Sequence, residues 1–276
     1  MKYDKNMKGR VGLYHLISLI NIDINKSKND YQKKKIRKSL PKVIENDIIV
    51  NYEEGVEYYM SETVYIENGG TLTINEGVTI VVKYDKQNPV YLAVKDTGLL
   101  NVFGNDKDPV IFTSEDDKAG AWGGIIICGT GRVVRNEDGL RIEDNLTGHD
   151  DVLTYGGGFD FSRSCDLSFL IIKNAGFSRN GRDFAALSLY GVSYESMFDN
   201  IAILNSGGNG VEIRGGLFNM RRLFIKDCVD NGLDISQGFG GKFINTVIYN
   251  NLLGFKSALH VNTNNIEDRH FDIPGQ

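Results

Sequence analysis

The sequence predicts an all-β fold: a single-stranded parallel β-helix, or β-solenoid, preceded by a basic N-terminal arm. Three observations carry that expectation. Turns are built from glycine, asparagine and aspartate; strands are short and alternating; and an internal repeat near 22 residues runs through the C-terminal third.

Glycine is abundant at 32 residues and proline scarce at 4, so tight corners fall to Gly, Asn and Asp. From about residue 46 the strands become legible. "TVYIENGGTLTINEGVTIVVKY" (63–84) and "VYLAVKDTGLLNVFGNDKDPVIFTS" (90–114) are strands of Val, Ile, Thr, Phe and Tyr, broken by NGG, NEG and Asn/Asp turns. The intervals between turns are too short for amphipathic helices.

The repeat aligns "IAILNSGGNGVEIRGG" (201–216), "LFIKDCVDNGLDISQG" (223–238) and "TVIYNNLLGFKSALHV" (246–261). Gly210, Gly232 and Gly254 recur every 22 residues; Asn205, Asp227 and Asn250 recur at 22 and then 23, so the third turn reads as one residue shorter. A unit this small cannot bury its own apolar face and must stack on copies of itself. The period is too short for a propeller blade and lacks the helices of a leucine-rich horseshoe. Each repeat is therefore one coil, with Ile203, Ile225, Ile213 and Ile235 facing inward in columns. The inward residue of the third repeat is either Val247 or Ile248. Asn205, Asp227 and Asn250 should line one corner and bond along the stack.

Residues 1–45 read as an appended docking arm, helical in part, that ends near Pro41. It holds 12 Lys+Arg against 4 Asp+Glu, whereas the remaining residues hold 19 against 32. The run "YQKKKIRKS" (31–39) lacks interleaved aromatics, and the body is acidic, so specific nucleic-acid binding is disfavoured. "VGLYHLISLI" (11–20) is too short to span a membrane and has no small-x-small cleavage site, so no secretory signal is assigned. Residues 46–276 form the β-helix domain, with an N-terminal cap (46–62), projecting loops (115–160) and a C-terminal cap (262–276). Cys128, Cys165 and Cys228 are odd in number and carry no metal-binding spacing; they are expected as buried small side chains.

Five segments in order carry a family resemblance: "GGTLTINEGVTIVV" (69–82), "DPVIFTS" (108–114), "AWGGIIICGTG" (121–131), "LTYGGG" (153–158) and "LSFLIIKNAG" (167–176). Together they resemble a family of right-handed parallel β-helix proteins common on bacterial surfaces, especially in Bacteroidetes-type organisms. Its members read TLTIEPG, then NPIVFTS, then W-G-G-[LI]-[VI]-[IL]-x-G, then an Asp-rich YGG stretch and a strand ending in -YAG. The resemblance spans roughly residues 60–260 and implies an extracellular, cell-surface or secreted protein without naming an activity. This chain departs from it in two ways: a basic arm stands where a signal or lipoprotein cysteine is usual, and the Asp-rich loop shrinks to "GGGFDFSRSCD" (156–166). A virion assembled inside a cell would need no signal. In the W-G-G segment, Gly123 and Gly124 turn the chain beside Trp122, whose ring is expected to cover the end of the stacked core. Ile125 and Ile127 should face inward and Ile126 outward.

Chemistry-bearing residues are sparse. Glycoside hydrolysis needs two carboxylates facing one cleft, and the candidates are Glu115, Asp116, Asp117, Asp150, Asp151, Asp160 and Asp166. A lyase would add Arg163, Arg179 or Arg182 to neutralise a uronate. None of these forms a catalytic signature. His149, Asp150 and Asp151 could hold Ca²⁺, the one cofactor considered. Tyr155, Phe159 and Phe161 alternate and could stack on sugar rings, although packing of the loop onto the coils is the favoured reading. "SGGNG" (206–210) lacks the Lys-Ser/Thr of a phosphate loop, and no Ser nucleophile elbow is present. The leading expectation is a non-catalytic structural or adhesive protein of a cell or virion surface, docked through its arm to protein partners and open to homo-oligomerisation. The alternative is a carbohydrate-active enzyme or glycan-binding module using the 115–165 loops on a polysaccharide.

Overall fold

A computed structural model describes residues 36–95, 97–134, 141–144, 152–179 and 182–262. Among the described residues the chain forms twenty-three strands and no helix.

Parallel pairing winds these strands into coils with three faces. The first face stacks β3 (Ile48–Val50), β6 (Thr71–Asn75) and β9 (Leu99–Phe103). The second stacks β1 (Ile36–Ser39), β4 (Val56–Met60), β7 (Thr79–Val82) and β10 (Val110–Ser114). Both continue into four longer strands: β14 (Cys165–Lys173), β18 (Met197–Ser206), β20 (Leu217–Cys228) and β22 (Gly240–Tyr249). The front half of β14 pairs with β9 and its back half with β10, so one strand turns the corner between two faces. Phe169, Asn200, Arg222 and Asn245 make that bend at successive levels, each with φ between 51° and 60°. The third face is an eight-stranded sheet: β2 (Val43–Ile44), β5 (Val64–Ile66), β8 (Tyr91–Val94), β11 (Gly124–Cys128), β17 (Leu187–Tyr190), β19 (Val211–Arg214), β21 (Leu233–Ser236) and β23 (Leu259–Asn262). Two antiparallel hairpins interrupt the winding: β12 (Ile142–Asp144) with β13 (Leu153–Tyr155), and β15 (Phe177–Arg179) with β16 (Arg182–Phe184). At about 4.8 Å per step the stack is about 35 Å long.

The inward columns are the expected ones. Ile203 pairs in register with Ile225, and Ile225 with Ile248, which makes Ile248 and not Val247 the inward residue of the third repeat. Ile213 pairs with Ile235. These residues join one continuous apolar cluster running from Leu40 to Leu233, with Ile235 and Ile248 packed against it. Ile125 and Ile127 belong to that cluster, while Ile126 and Cys128 belong to a second one outside the coil. All three cysteines are buried and outside any disulfide, and burial pushes the Cys228 thiol up to about 12, so it stays protonated and unreactive.

Several expectations are corrected. Residues 36–44, assigned to the arm, form β1 and β2 and pair with β4 and β5. Leu40 and Ile44 are buried there, so the apolar pattern outweighs the basic composition of this stretch. Residues 1–35 and 263–276 lie outside the described residues, and with them the rest of the arm and nearly all of the C-terminal cap. Residues 46–62 are not a separate cap, because β3 and β4 are ordinary coil strands. The 115–160 region does not simply project, because it contains β11, whose two faces are both buried. Trp122 does not cover an end of the stack: β11 is fourth of eight on its face, and the fully buried indole lies 6.1 Å from Phe112 at an interplanar angle of 16°. Its Nε1–H donates to the Lys173 carbonyl at 2.8 Å, which fixes the corner between the second and third faces in mid-rod.

The corner column is also revised. Asn174, Asn205 and Asp227 take left-handed φ of 60°, 61° and 58°, a conformation Asn and Asp tolerate best among residues with a Cβ. The ladder of side-chain bonds runs from Asn205 Nδ2 to Asn174 Oδ1 (2.7 Å) and from Asn174 Nδ2 to Asp117 Oδ1 (2.8 Å). Asp227 and Asn250 bond to backbone instead, Asp227 accepting from the Asn251 amide and Asn250 donating to the Cys228 carbonyl. Gly210 and Gly232 hold equivalent places, where a Cβ would meet the Gly232 carbonyl at 2.5 Å and the Ala258 carbonyl at 2.9 Å. Gly254 is not their equivalent, since Leu233 pairs with Leu259 and so places Ala258 above Gly232. The third turn is thus longer at this corner, not shorter. Ala258 carries its Cβ because no later described coil lies over it.

Candidate functional site

The expected carboxylates are dispersed into separate contacts. Glu115 pairs with Arg37 of β1 at 2.6 Å, Asp116 with Lys118 at 2.9 Å, and Asp117 ends the asparagine ladder. Asp160 pairs with Arg132 at 2.8 Å and also accepts the Arg132 amide. Asp166 pairs with Arg163. Burial raises the Asp166 pKa, with Arg163 opposing that shift. His149, Asp150 and Asp151 lie outside the described residues, and so does the Ca²⁺ assignment that rests on them. Among the described residues no group of three or more His, Cys, Asp or Glu is placed to hold a metal ion.

The aromatic trio divides. Tyr155 is fully buried against Tyr190, with ring centroids 5.3 Å apart, and is removed from any sugar-facing surface. Phe159 and Phe161 are 70% and 81% exposed. Gly156, Gly157 and Gly158 take φ of 81°, 127° and 79°, which only glycine adopts readily in succession, and this run turns the chain out after β13. The emerging segment is then tied to the coil. The Phe159 amide donates to the Thr130 carbonyl at 2.8 Å, and Ser193 Oγ donates to the Phe159 carbonyl at 2.7 Å. Ser162 Oγ lies 2.7 Å from Thr130 Oγ1 and donates to Ser193 Oγ at 3.0 Å. The Tyr194 amide donates to the Asp160 carbonyl, which brings a third aromatic, 56% exposed, to the same segment. Exposed rings on a pinned backbone keep their apolar area in water without the freedom to fold it away, as a binding surface requires. Sequence reading missed Tyr194, because it enters from the next coil, after β17.

A second assembly lies on the outer surface of the third face. Ser188, Glu212, Asp234 and His260 stand in register on β17, β19, β21 and β23. Glu212 accepts from the Tyr190 hydroxyl at 2.8 Å and from Arg214 Nε at 2.9 Å, and the Arg214 guanidinium sits 4.7 Å over the Tyr190 ring. Asp234 bonds His260 Nδ1 at 3.0 Å. Burial, more than any other cause, holds the Glu212 carboxyl above its usual range; Asp234 adds to this, while Arg214 and Tyr190 oppose it. The two carboxyls thus stand in register on neighbouring strands, Glu212 enclosed by Tyr190 and Arg214 and Asp234 beside His260. The available signal was the polar residue set between inward apolar ones in "VEI", "LDI" and "LHV", which reads as a solvated position in each repeat.

Fold and surface together define a parallel β-helix that carries its exposed chemistry on loops and on the outside of one sheet. The chain belongs to the family of pectate-lyase-like β-helix domains, whose family model matches residues 43–273, nearly the whole body. No curated protein and no solved structure gives a significant match. No helix among the described residues is long and apolar enough to cross a membrane.

Proposed function

We propose that this chain is a non-catalytic adhesive β-helix of a cell or virion surface, docked through its basic arm and holding polysaccharide on Phe159, Phe161 and Tyr194. The single observation that carries this reading is the pinned and exposed aromatic segment; among the described residues the loop carboxylates Glu115, Asp116, Asp117, Asp160 and Asp166 each have an ion-pair or hydrogen-bond partner. Aromatic faces stack on the apolar faces of pyranose rings, and nearby Ser, Asp and Arg groups bond hydroxyls. A pectate-lyase-like β-helix family fits a carbohydrate-related role and leaves catalysis open.

One observation favours the enzyme reading: Glu212, whose carboxyl burial raises above its usual range, stands in register beside Asp234 on the neighbouring strand. One measurement separates the two. The full chain is incubated with insoluble glycans, and bound protein and released sugar are quantified together. Adhesion predicts retention of the chain without sugar release, with retention falling at least about tenfold in the Phe159→Ala/Phe161→Ala variant. Sugar release that is lost in Glu212→Gln and Asp234→Asn would overturn the non-catalytic reading in favour of the third face.

A further inference from the structure

We infer that the aromatic platform selects a neutral glycan and rejects polyuronates, an inference that rests on the adhesive reading above. Charge at the site decides it. Two arginines belong to this segment through their ion pairs, Arg132 with Asp160 and Arg163 with Asp166, and each is held by that carboxylate. The Asp160 and Asp166 side chains are only 15% and 16% exposed, so the pairs are anchored at their acidic ends, and neither arginine is a spare cation. Glu195, next to Tyr194 in sequence, is exposed. The Arg141 side chain also lies beside Gly157, next to the Phe159 ring, and donates to the Thr154 carbonyl at 3.1 Å, so three guanidiniums stand against Asp160, Asp166 and Glu195 and the segment carries no excess of positive charge. The wider field is negative, since residues 46–276 carry 19 Lys+Arg against 32 Asp+Glu. A polyuronate brings one negative charge per sugar into this field, with no excess of positive charge on the segment to receive it.

The hydrogen-bonding groups suit hydroxyls instead. Guanidinium–carboxylate pairs offer a donor edge and an acceptor edge side by side, matched to a vicinal diol. The Ser162 and Ser193 hydroxyls add groups that both donate and accept. Phe159 and Phe161 contribute sequence-tolerant stacking that requires no charge on the sugar.

Affinity electrophoresis of the full chain tests this in gels holding xylan, mixed-linkage glucan, galactan, mannan, polygalacturonate or alginate. Each gel is run at low and at physiological salt, with and without added Ca²⁺. The expected result is retardation by at least one neutral glycan, weakened at least about tenfold by Phe161→Ala, together with no retardation by either polyuronate in any condition. Polyuronate retardation matching or exceeding that of the neutral glycans, and lost in Phe161→Ala, overturns the selectivity while leaving the platform in place. Polyuronate retardation unchanged by Phe161→Ala places anion binding elsewhere and overturns the claim that the chain rejects polyuronates. If no glycan retards the wild type, the platform reading fails and this inference falls with it.

Discussion

Glu212 shows how one residue's chemistry is set by what folds over it. In sequence it sits between Val211 and Ile213, where alternation points it outward. Outward here still means buried, because Tyr190 and Arg214 close around the carboxyl. Its raised pKa has a definite consequence for stability. Between the unfolded value of about 4.3 and the higher folded value, the folded chain keeps a proton that the unfolded chain releases. Glu212 therefore makes folding less favourable as pH rises through that window, and the effect is absent below it. Urea midpoints measured from about pH 4 to about pH 7 should show the wild type losing stability relative to Glu212→Gln as pH increases. Leaving Arg214 without its carboxylate shifts the variant by a constant offset and does not alter this slope. A wild-type-to-variant difference that is flat with pH would contradict the assignment.

At the level of elements, the β12–β13 hairpin and β11 explain each other. "GIIIC" is apolar at every position because the coil core covers one face and the hairpin covers the other. Ile126 and Cys128 pack with Leu153, Tyr155 and Tyr190 in the outer cluster. A two-stranded hairpin is marginal by itself, so its order depends on this anchoring. Tyr155→Ala should remove about 3–5 kcal/mol of local packing and open the hairpin while the coils stay folded. Limited proteolysis would then cut within residues 130–160 well before global melting. An unchanged cleavage pattern would mean that the hairpin is held by something other than Tyr155. The Tyr155 side chain could not be told from Phe159 and Phe161 by alternation. What buries it is Tyr190, a residue of the following coil.

At the scale of the whole molecule, the arm and the body meet nearer to residue 36 than to 46. Arg37 reaches Glu57 and Glu115, and Lys38 reaches Glu53, so part of the basic run is engaged on the surface of the rod. Removing residues 1–35 should leave a cooperatively folding body that no longer docks. Removing residues 1–45 also takes away β1, β2 and the buried Leu40 and Ile44, and bares strand edges with unpaired backbone groups. Thermal melts and light scattering should show a lower Tm and aggregation only for the longer deletion. Equal behaviour of the two truncations would return the boundary to residue 46.

What was legible in the sequence follows from where the coils are regular. In residues 201–235 the strands recur at 22 residues, so alternation and spacing are enough to assign the inward columns, whereas the choice of Ile248 over Val247 needed the observed pairing. Earlier coils are stretched by the two hairpins and by longer corners, so the period vanishes although the pairing persists. The sequence by itself determined the solenoid and the inward columns Ile203/Ile225 and Ile213/Ile235, because these depend on local alternation and turn chemistry. Only the tertiary structure decided that Tyr155 and Glu212 are buried, that Tyr194 joins Phe159 and Phe161, and that residues 36–44 belong to the rod. Each of those depends on a neighbour from another coil, and stacking distance is blind to separation along the chain.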